Sequence, residues 1–135
     1  MTGKDIVRSF LELVWNERKP DEAIARFRDV DCISRGLKAN AMDTSEYRGF
    51  IMDMQKRMTS THIVVEDLVE EGNKVAFRAT ITGEIDGKTV SLGGFGIVMV
   101  GGGKILDSHN AWDGFGLMAQ LGGKSMSLAD VLRGP

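Results

Sequence analysis

The chain has 135 residues, a net charge of −2, 42% hydrophobic residues and 27% charged residues. This size suits one soluble domain with its own core. The balanced charge argues against nucleic acid or an anionic membrane surface as the partner. The single cysteine, Cys32, excludes an internal disulfide and a zinc cluster, which favours a reducing cytoplasm. The N-terminus has no signal-peptide core, and no apolar run reaches the ~20 residues that a membrane-spanning helix needs.

The first half of the chain predicts three helices. Apolar residues recur every three or four positions after Thr2, which predicts an amphipathic helix capped by that residue. Pro20 is expected at the start of a second helix, where its missing N–H costs nothing. A third helix is predicted from Asp43 or the next residue to about Met58, because Asp43 and Glu46 have capping-box spacing.

The second half predicts strands joined by tight turns. The predicted strands cover residues 62–69, 75–85, 89–100 and 104–112, and residues 32–35 form a short earlier strand. Asp86-Gly87 is a strong hairpin signal between two of the long strands. Three glycines inside one strand, Gly93, Gly94 and Gly96, indicate a bulge or a sharp bend.

Helices followed by antiparallel strands are typical of the α+β class. A curved sheet wrapped against N-terminal helices makes a cone, whose open end is a natural site for a hydrophobic small molecule. We expect one such domain over residues 1–135, with residues 123–135 as a C-terminal tail. Arg78, Thr80 and Thr82 are expected on the convex side of the sheet.

The last strand carries the candidate chemistry. Regular alternation from the core residue Ile105 predicts one face made of Ile105, Asp107, His109, Ala111 and Asp113. It predicts that the opposite face carries Leu106, Ser108, Asn110 and Trp112, with Trp112 against a dimer partner or the tail. The first face would then point two carboxylates and an imidazole into the pocket.

Such groups are suited to acid/base catalysis. Desolvation raises the pKa of a carboxylate in an apolar pocket, and histidine titrates near neutral pH already. Non-catalytic roles stay open for each residue: Asp113 as the N-cap of a helix beginning near Phe115, Asp107 as the partner of a neighbouring donor, and His109 as a hydrogen-bonded residue at the pocket edge.

The end of the chain resembles the signature of the SnoaL-like polyketide cyclases, in the NTF2-like superfamily. The resemblance rests on Lys104-Ile105-x-Asp107-x-His109, on Asp113, and on the terminal run Gly116-Leu117-Met118-x-Gln120-Leu121-Gly122. Residues 10–16 and 75–83 match the pattern as well. The resemblance implies the NTF2-like cone.

The same resemblance implies a cofactor-free reaction without a metal. Asp113 falls at the position of the aspartate that acts as general acid/base in an intramolecular aldol closure, so Asp113, His109 and Asp107 are the predicted catalytic residues. The predicted activity is that of a lyase, isomerase or cyclase on a hydrophobic, polyketide-like carbonyl compound. The predicted substrate-binding residues are Trp15, Tyr47, Phe50, Met54 and Met99.

Three other functions remain open. A non-catalytic binding protein is favoured by the eight methionines and by the lack of a histidine between Thr89 and Val100. A protein-interaction domain would use the face of the sheet. An epoxide hydrolase on this scaffold needs an Asp-Arg-Asp relay in the pocket, whereas Arg78 is expected to face away. We also expect a homodimer through the sheet, by analogy with related folds.

Overall fold

The computed structural model describes residues 1–134, which form five helices and five strands. The helices are α1 (Gly3–Trp15), α2 (Pro20–Phe27), α3 (Thr44–Arg57), α4 (Gly114–Gln120) and α5 (Leu128–Arg133). The strands are β1 (Arg28–Arg35), β2 (Thr59–Glu71), β3 (Lys74–Ile85), β4 (Lys88–Gly101) and β5 (Lys104–Trp112). The predicted α+β class is confirmed. Pro135, the last residue of the predicted tail, lies outside the described residues.

The three N-terminal helices begin where the sequence predicts. The Thr2 hydroxyl accepts a hydrogen bond from the backbone N–H of Asp5 at 3.1 Å, which closes a capping box at α1. The Asp43 carboxylate accepts a hydrogen bond from the backbone N–H of Glu46 at 2.9 Å, which closes a second capping box at α3. Pro20 is the first residue of α2. Side-chain caps therefore set both longer helices.

Tight hairpins connect the four long strands β2 to β5. Asp86 and Gly87 form the turn between β3 and β4 with φ angles of 50° and 79°. Two successive positive φ angles are the geometry of the hairpin turn that Asp-Gly favours. Gly72 and Gly102 take positive φ angles in the other two turns. The predicted hairpins are confirmed.

The five strands form one sheet in the order β1-β5-β4-β3-β2, with β1 parallel to β5 and all other neighbours antiparallel. The inner face, which packs against α1, is defined on β3 by the buried residues Val75, Phe77, Ala79 and Ile81. The outer face is defined on β3 by Ala76, Arg78, Thr80 and Thr82. The predicted alternation of β3 is confirmed.

The glycines of β4 make room for aromatic rings. β4 keeps an unbroken register with β3 through Gly93, Gly94 and Gly96, so the bulge expected there is absent from this strand pair. A Cβ atom on Gly94 would lie 2.3 Å from the indole Cδ2 of Trp112, and one on Gly96 would lie 2.7 Å from Cε1 of Phe77. Close approach of these rings explains Gly94 and, together with the backbone oxygen of His109 at 2.6 Å, Gly96, whereas nothing in the structure explains Gly93.

A bulge does occur in the neighbouring strand, β5. Val100 of β4 pairs with Ile105, but the next residue, Met99, pairs with Asp107. Leu106 is therefore the extra residue, and it shifts the phase of all later side chains. The alternation predicted from Ile105 is consequently wrong beyond this point.

Candidate functional site

A cavity of about 230 Å³ lies between the inner face of the sheet and helices α1 and α3. Its apolar and aromatic lining residues are Val7, Phe10, Leu11, Trp15, Leu37, Tyr47, Phe50, Ile51, Met54, Phe77, Ile81, Leu92, Val98, Ile105, Trp112 and Leu117. Gly36 and Gly114 also line it and are exposed, while Leu37, Phe50 and Leu117 are half-buried. The cavity therefore opens between the segment after β1, helix α3 and helix α4.

Two pairs of aromatic rings shape the walls. Phe10 of α1 and Tyr47 of α3 lie with their ring centroids 6.2 Å apart, and Phe77 of β3 and Trp112 of β5 lie 6.3 Å apart. Both separations fall in the range of favourable aromatic contacts. The rings belong to elements on both sides of the cavity, so packing of the helices on the sheet fixes its shape.

One side of the cavity is polar. The polar strip consists of Arg28, Ser34, Ser108 and Asn110, which come from the adjacent strands β1 and β5. The Ser108 hydroxyl lies 3.2 Å from the Ser34 hydroxyl, and Asn110 Nδ2 donates to Ser108 Oγ at 3.2 Å. Arg28 Nη1 donates to Ser34 Oγ at 2.7 Å. The four side chains therefore form a continuous hydrogen-bonded row.

Arg28 is the one charged residue of the polar strip, and it is only 5% exposed. Its Nε donates to Thr44 Oγ1 at 2.9 Å, and its Nη2 donates to the carbonyl oxygen of Cys32 at 2.9 Å. The guanidinium carbon lies 4.4 Å from the centroid of the Tyr47 ring, which is a cation–π contact. Hydrogen bonds to β1 and α3 and the contact with the Tyr47 ring thus hold the guanidinium group in one position.

The two ionisable neighbours of Arg28 stay neutral. Burial raises the pKa of the Tyr47 phenol, and the positive charge of Arg28 only partly opposes that rise. Burial also raises the pKa of the Cys32 thiol, against the opposing charge of Arg28. A thiol with a raised pKa is a weak nucleophile, so Cys32 acts as a core residue, consistent with its buried position.

The predicted catalytic residues lie elsewhere. Asp107 and His109 occupy the outer face, where Asp107 forms an ion pair with Arg35 and lies 3.6 Å from His109 Nε2. Among the described residues, the cavity lining contains no carboxylate and no imidazole. The prediction that these two residues point into the pocket is therefore wrong, because the extra residue Leu106 turns them away.

Asp113 lies just beyond the end of β5. Its carboxylate accepts a hydrogen bond from the backbone N–H of Gly116 at 2.8 Å, which makes it the N-cap of α4. The residue is exposed, although its neighbours Trp112 and Gly114 both line the cavity. The expected orientation into the pocket is wrong for Asp113 also. The helix-capping role that the sequence left open for Asp113 is present in the structure.

Four of the five predicted substrate-binding residues line the cavity: Trp15, Tyr47, Phe50 and Met54. Their contact with a ligand stays a prediction. Met99 is on the outer face, opposite Asp107, so it does not line the cavity. The position predicted for Met99 is wrong because its neighbours Val98 and Val100 occupy the inner face instead.

The sequence analysis missed the polar strip and Trp112. Ser108, Asn110 and Trp112 are two positions apart along the strand. If the large aromatic residue Trp112 is assumed to face the core, strand alternation places all three side chains on the inner face. The expectation that Trp112 packs against a dimer partner or the tail is wrong for the same reason. Arg28 gives no comparable signal, because it follows Arg26 and Phe27 at the end of a helix and resembles a solvated charge.

Two further kinds of site are absent from residues 1–134. No group of three or more histidine, cysteine, aspartate or glutamate side chains in this range is arranged to hold a metal ion. No helix in the same range has both the length and the apolar character needed to cross a membrane.

Sequence comparison decides the family. The model of the SnoaL-like polyketide cyclases matches residues 5–121, which is most of the chain. This chain belongs to that family. No curated protein sequence matches this SnoaL-like protein significantly.

Solved structures agree on the fold of this SnoaL-like protein. IdmH from Streptomyces antibioticus superimposes with a TM-score of 0.80 at 18% identity, covering 90% of this chain and 99% of its own. A protein of ketosteroid isomerase-like fold from Catenulispora acidiphila, solved with trimethylamine, superimposes with a TM-score of 0.77 at 16% identity. The match covers 92% of this chain and 97% of that protein. An LEH-like epoxide hydrolase from M. tuberculosis superimposes with a TM-score of 0.72 at 16% identity. The match covers 98% of this chain and 96% of that protein. The predicted NTF2-like fold is confirmed.

Proposed function

We propose that the cavity binds a hydrophobic small molecule that carries a carbonyl group, and that binding is the function the geometry supports best. One observation carries the proposal: within the described residues, the cavity is lined by apolar side chains and the polar strip, without an acid/base residue of the aspartate, glutamate or histidine type. Apolar walls provide affinity, and a few placed polar groups provide orientation. A carbonyl oxygen suits this strip because Arg28 is a hydrogen-bond donor only.

The size of the cavity limits the ligand. A volume of about 230 Å³ lies below the usual range of about 300–1,000 Å³ for ligand pockets. A compact aromatic ketone therefore fits better than a long chain. Phe10, Tyr47, Phe77 and Trp112 present ring faces or edges on both sides, so a flat ring system gains aromatic contacts in addition to area burial.

Blocking the mouth of the cavity tests binding. We expect Leu117→Trp to raise the Kd for the neutral ketone 2-acetylnaphthalene at least about tenfold, because the larger indole occupies the open side of the cavity. Leu121→Trp is the matched control, since Leu121 follows the same helix but does not line the cavity. Isothermal titration calorimetry measures both. Equal affinities for the wild type and Leu117→Trp would contradict the proposed site.

The second candidate function is cofactor-free acid/base catalysis as a lyase, isomerase or cyclase on a polyketide-like carbonyl compound. Membership of the SnoaL-like polyketide cyclase family favours it. In this candidate Asp113 is the acid/base residue, because it is the carboxylate beside the cavity-lining residues Trp112 and Gly114. Arg28 would hold the oxyanion that forms when a proton leaves the carbon next to the carbonyl.

Asp113→Asn separates the two candidates. Asparagine caps a helix about as well as aspartate, so we expect the free energy of unfolding to change by less than about 0.5 kcal/mol. We also expect an unchanged Kd for 2-acetylnaphthalene. Asp113→Ala, which removes the cap, is the control and should cost about 1 kcal/mol. If a polyketide-like ketone is turned over by the wild type and Asp113→Asn abolishes that turnover, the acid/base candidate replaces the binding candidate.

We also propose that two copies of the chain pair through the outer face. Phe95 and Ile97 of β4 are 62% and 53% exposed there, and the apolar residues Val64 and Val69 of β2 are exposed on the same face. Exposed apolar side chains mark interaction sites, and on this face the ion pairs of Arg78 with Glu66 and Asp67 lie between Phe95 and β2. Because a two-fold axis pairs a patch with its own copy, an apolar patch at the centre of a sheet is self-complementary.

A further inference from the structure

The cation in the cavity lacks an anionic partner. Within residues 1–134, no carboxylate lies within 4.0 Å of the Arg28 guanidinium, although ten other ion pairs occur there. Removing a charge from water without a counter-charge is costly. Arg28 is nevertheless 5% exposed and lines the cavity. The space beside it is thus where a counter-charge would be stabilised most.

The structural bonds of Arg28 leave donor capacity unused. A guanidinium has five N–H groups, and three of them donate to Thr44, Ser34 and Cys32. The bond to Thr44 ties the start of β1 to α3, and the other two hold the irregular first part of β1 together. The other two N–H groups, one on each terminal nitrogen, have no acceptor in the described chain. Each of these two N–H groups can donate a charge-assisted hydrogen bond to a carboxylate oxygen.

Other donors around the cavity are also unused. The Tyr47 hydroxyl and the Trp15 indole N–H make no hydrogen bond within the described chain, although these residues are only 7% and 4% exposed. In the same range, no fully sealed side-chain nitrogen or oxygen lacks a partner. Both groups are therefore incompletely sealed, and both residues line the cavity. The cavity offers more donors than acceptors, with the Asn110 amide oxygen as the main free acceptor.

We infer that the ligand of this cavity is an anion, a compact hydrophobic carboxylate whose charged end lies against Arg28 and whose rings lie between the aromatic walls. This inference rests on the proposed binding function and deepens it, because it assigns a negative charge to the ligand and names Arg28 as the residue that binds the charged group. The Tyr47 hydroxyl supplies a further donor beside the carboxylate. Neutral ketones bind more weakly in the same place.

A matched pair of probes tests the inference on the unaltered protein. 2-Naphthoate and 2-naphthamide share one ring system and differ in charge at one group. We expect calorimetry at pH 7 to give a Kd for 2-naphthoate at least about tenfold below that for 2-naphthamide, as is typical of a hydrogen bond to a charged group. Equal affinity for the two probes overturns the inference and leaves the binding function intact. If neither probe binds, the binding function fails as well.

Substitutions assign the preference to Arg28. We expect Arg28→Gln to weaken the binding of 2-naphthoate at least about tenfold and the binding of 2-naphthamide by a smaller factor, so that the two Kd values become nearly equal. Arg28→Lys, which keeps the charge but loses the paired N–H groups, should keep part of the preference. Arg35→Gln is the control, because Arg35 lies on the same strand but pairs with Asp107 on the outer face. A naphthoate preference that survives Arg28→Gln overturns the assignment; if that variant does not fold, the comparison of the two probes on the wild type decides.

Discussion

Replacement of Gly36 by alanine is expected to lower the free energy of unfolding by about 3 kcal/mol. Gly36 has a φ of +88°, a region that side chains with a Cβ avoid. An added Cβ would also lie 1.8 Å from the backbone carbonyl oxygen of Asn110. Because the obstacle is strand backbone, β1 and β5 must move apart. Chemical denaturation followed by circular dichroism measures the change.

Two other glycines separate the causes of this effect. Gly87→Ala keeps the positive φ of +79° but meets no atom within 4 Å, so only the backbone strain of about 1 kcal/mol is expected. Gly49→Ala lies inside α3 with no atom within 4 Å and should stabilise the protein by about 0.5–1 kcal/mol. A loss at Gly36 no larger than that at Gly87 would show that the close approach to Asn110 is unimportant.

The Gly36 variant also affects the cavity. Gly36 lines the open side, and the side chain of Asn110 donates from Nδ2 to the carbonyl oxygen of Arg35, directly before Gly36. Separation of β1 from β5 would therefore disturb the polar strip at Ser34 and Ser108. Weaker binding of 2-acetylnaphthalene should accompany the loss of stability.

Ile97→Glu is expected to convert a dimer into a monomer. Ile97 is exposed in the middle of the outer face, beside Phe95 and opposite His109. A two-fold interface would bring one new carboxylate from each copy into the same apolar contact, and burying unpaired like charges is costly. Because Ile97 is exposed in the single chain, the fold should be unaffected. Sedimentation velocity at micromolar concentration measures the oligomeric state.

Val30→Glu provides the matched control for this experiment. Val30 is an exposed apolar residue of β1, the edge strand, and lies outside the apolar patch of β2 and β4. Its substitution adds the same charge without altering the proposed contact. A wild type that sediments as a monomer, or an Ile97→Glu variant that stays dimeric, would contradict pairing through the outer face.

The sequence predicts most of the fold because the deciding signals are local. Thr2 and Asp43 begin helices through contacts with residues three positions ahead, and Asp86-Gly87 closes a hairpin through its own backbone geometry. The full length of β1 is harder to predict from the sequence. It begins at Arg28, directly after α2, and its pairing with β5 joins residues more than seventy positions apart.

The site was harder to predict because it depends on registration between strands. The pairing of two residues on different strands, Met99 of β4 and Asp107 of β5, decides which face each later side chain of β5 occupies. Alternation within β5 alone cannot reveal an extra residue at Leu106. In contrast, Trp15, Tyr47, Phe50 and Met54 lie on helices, where apolar periodicity identifies the buried face without reference to a partner strand.

The extra residue at Leu106 also determines what a shorter version of this strand would keep. From Asp107 onward the orientation of β5 is fixed by pairing with β4, so Leu106 stands outside the registered part of the strand. Loss of Leu106 would leave Ile105 opposite Val100 and Asp107 opposite Met99. The strand would be straighter, and the same side chains would stay on the inner face. The cavity-lining residues Ser108, Asn110 and Trp112 would keep their places in a chain that lacks Leu106.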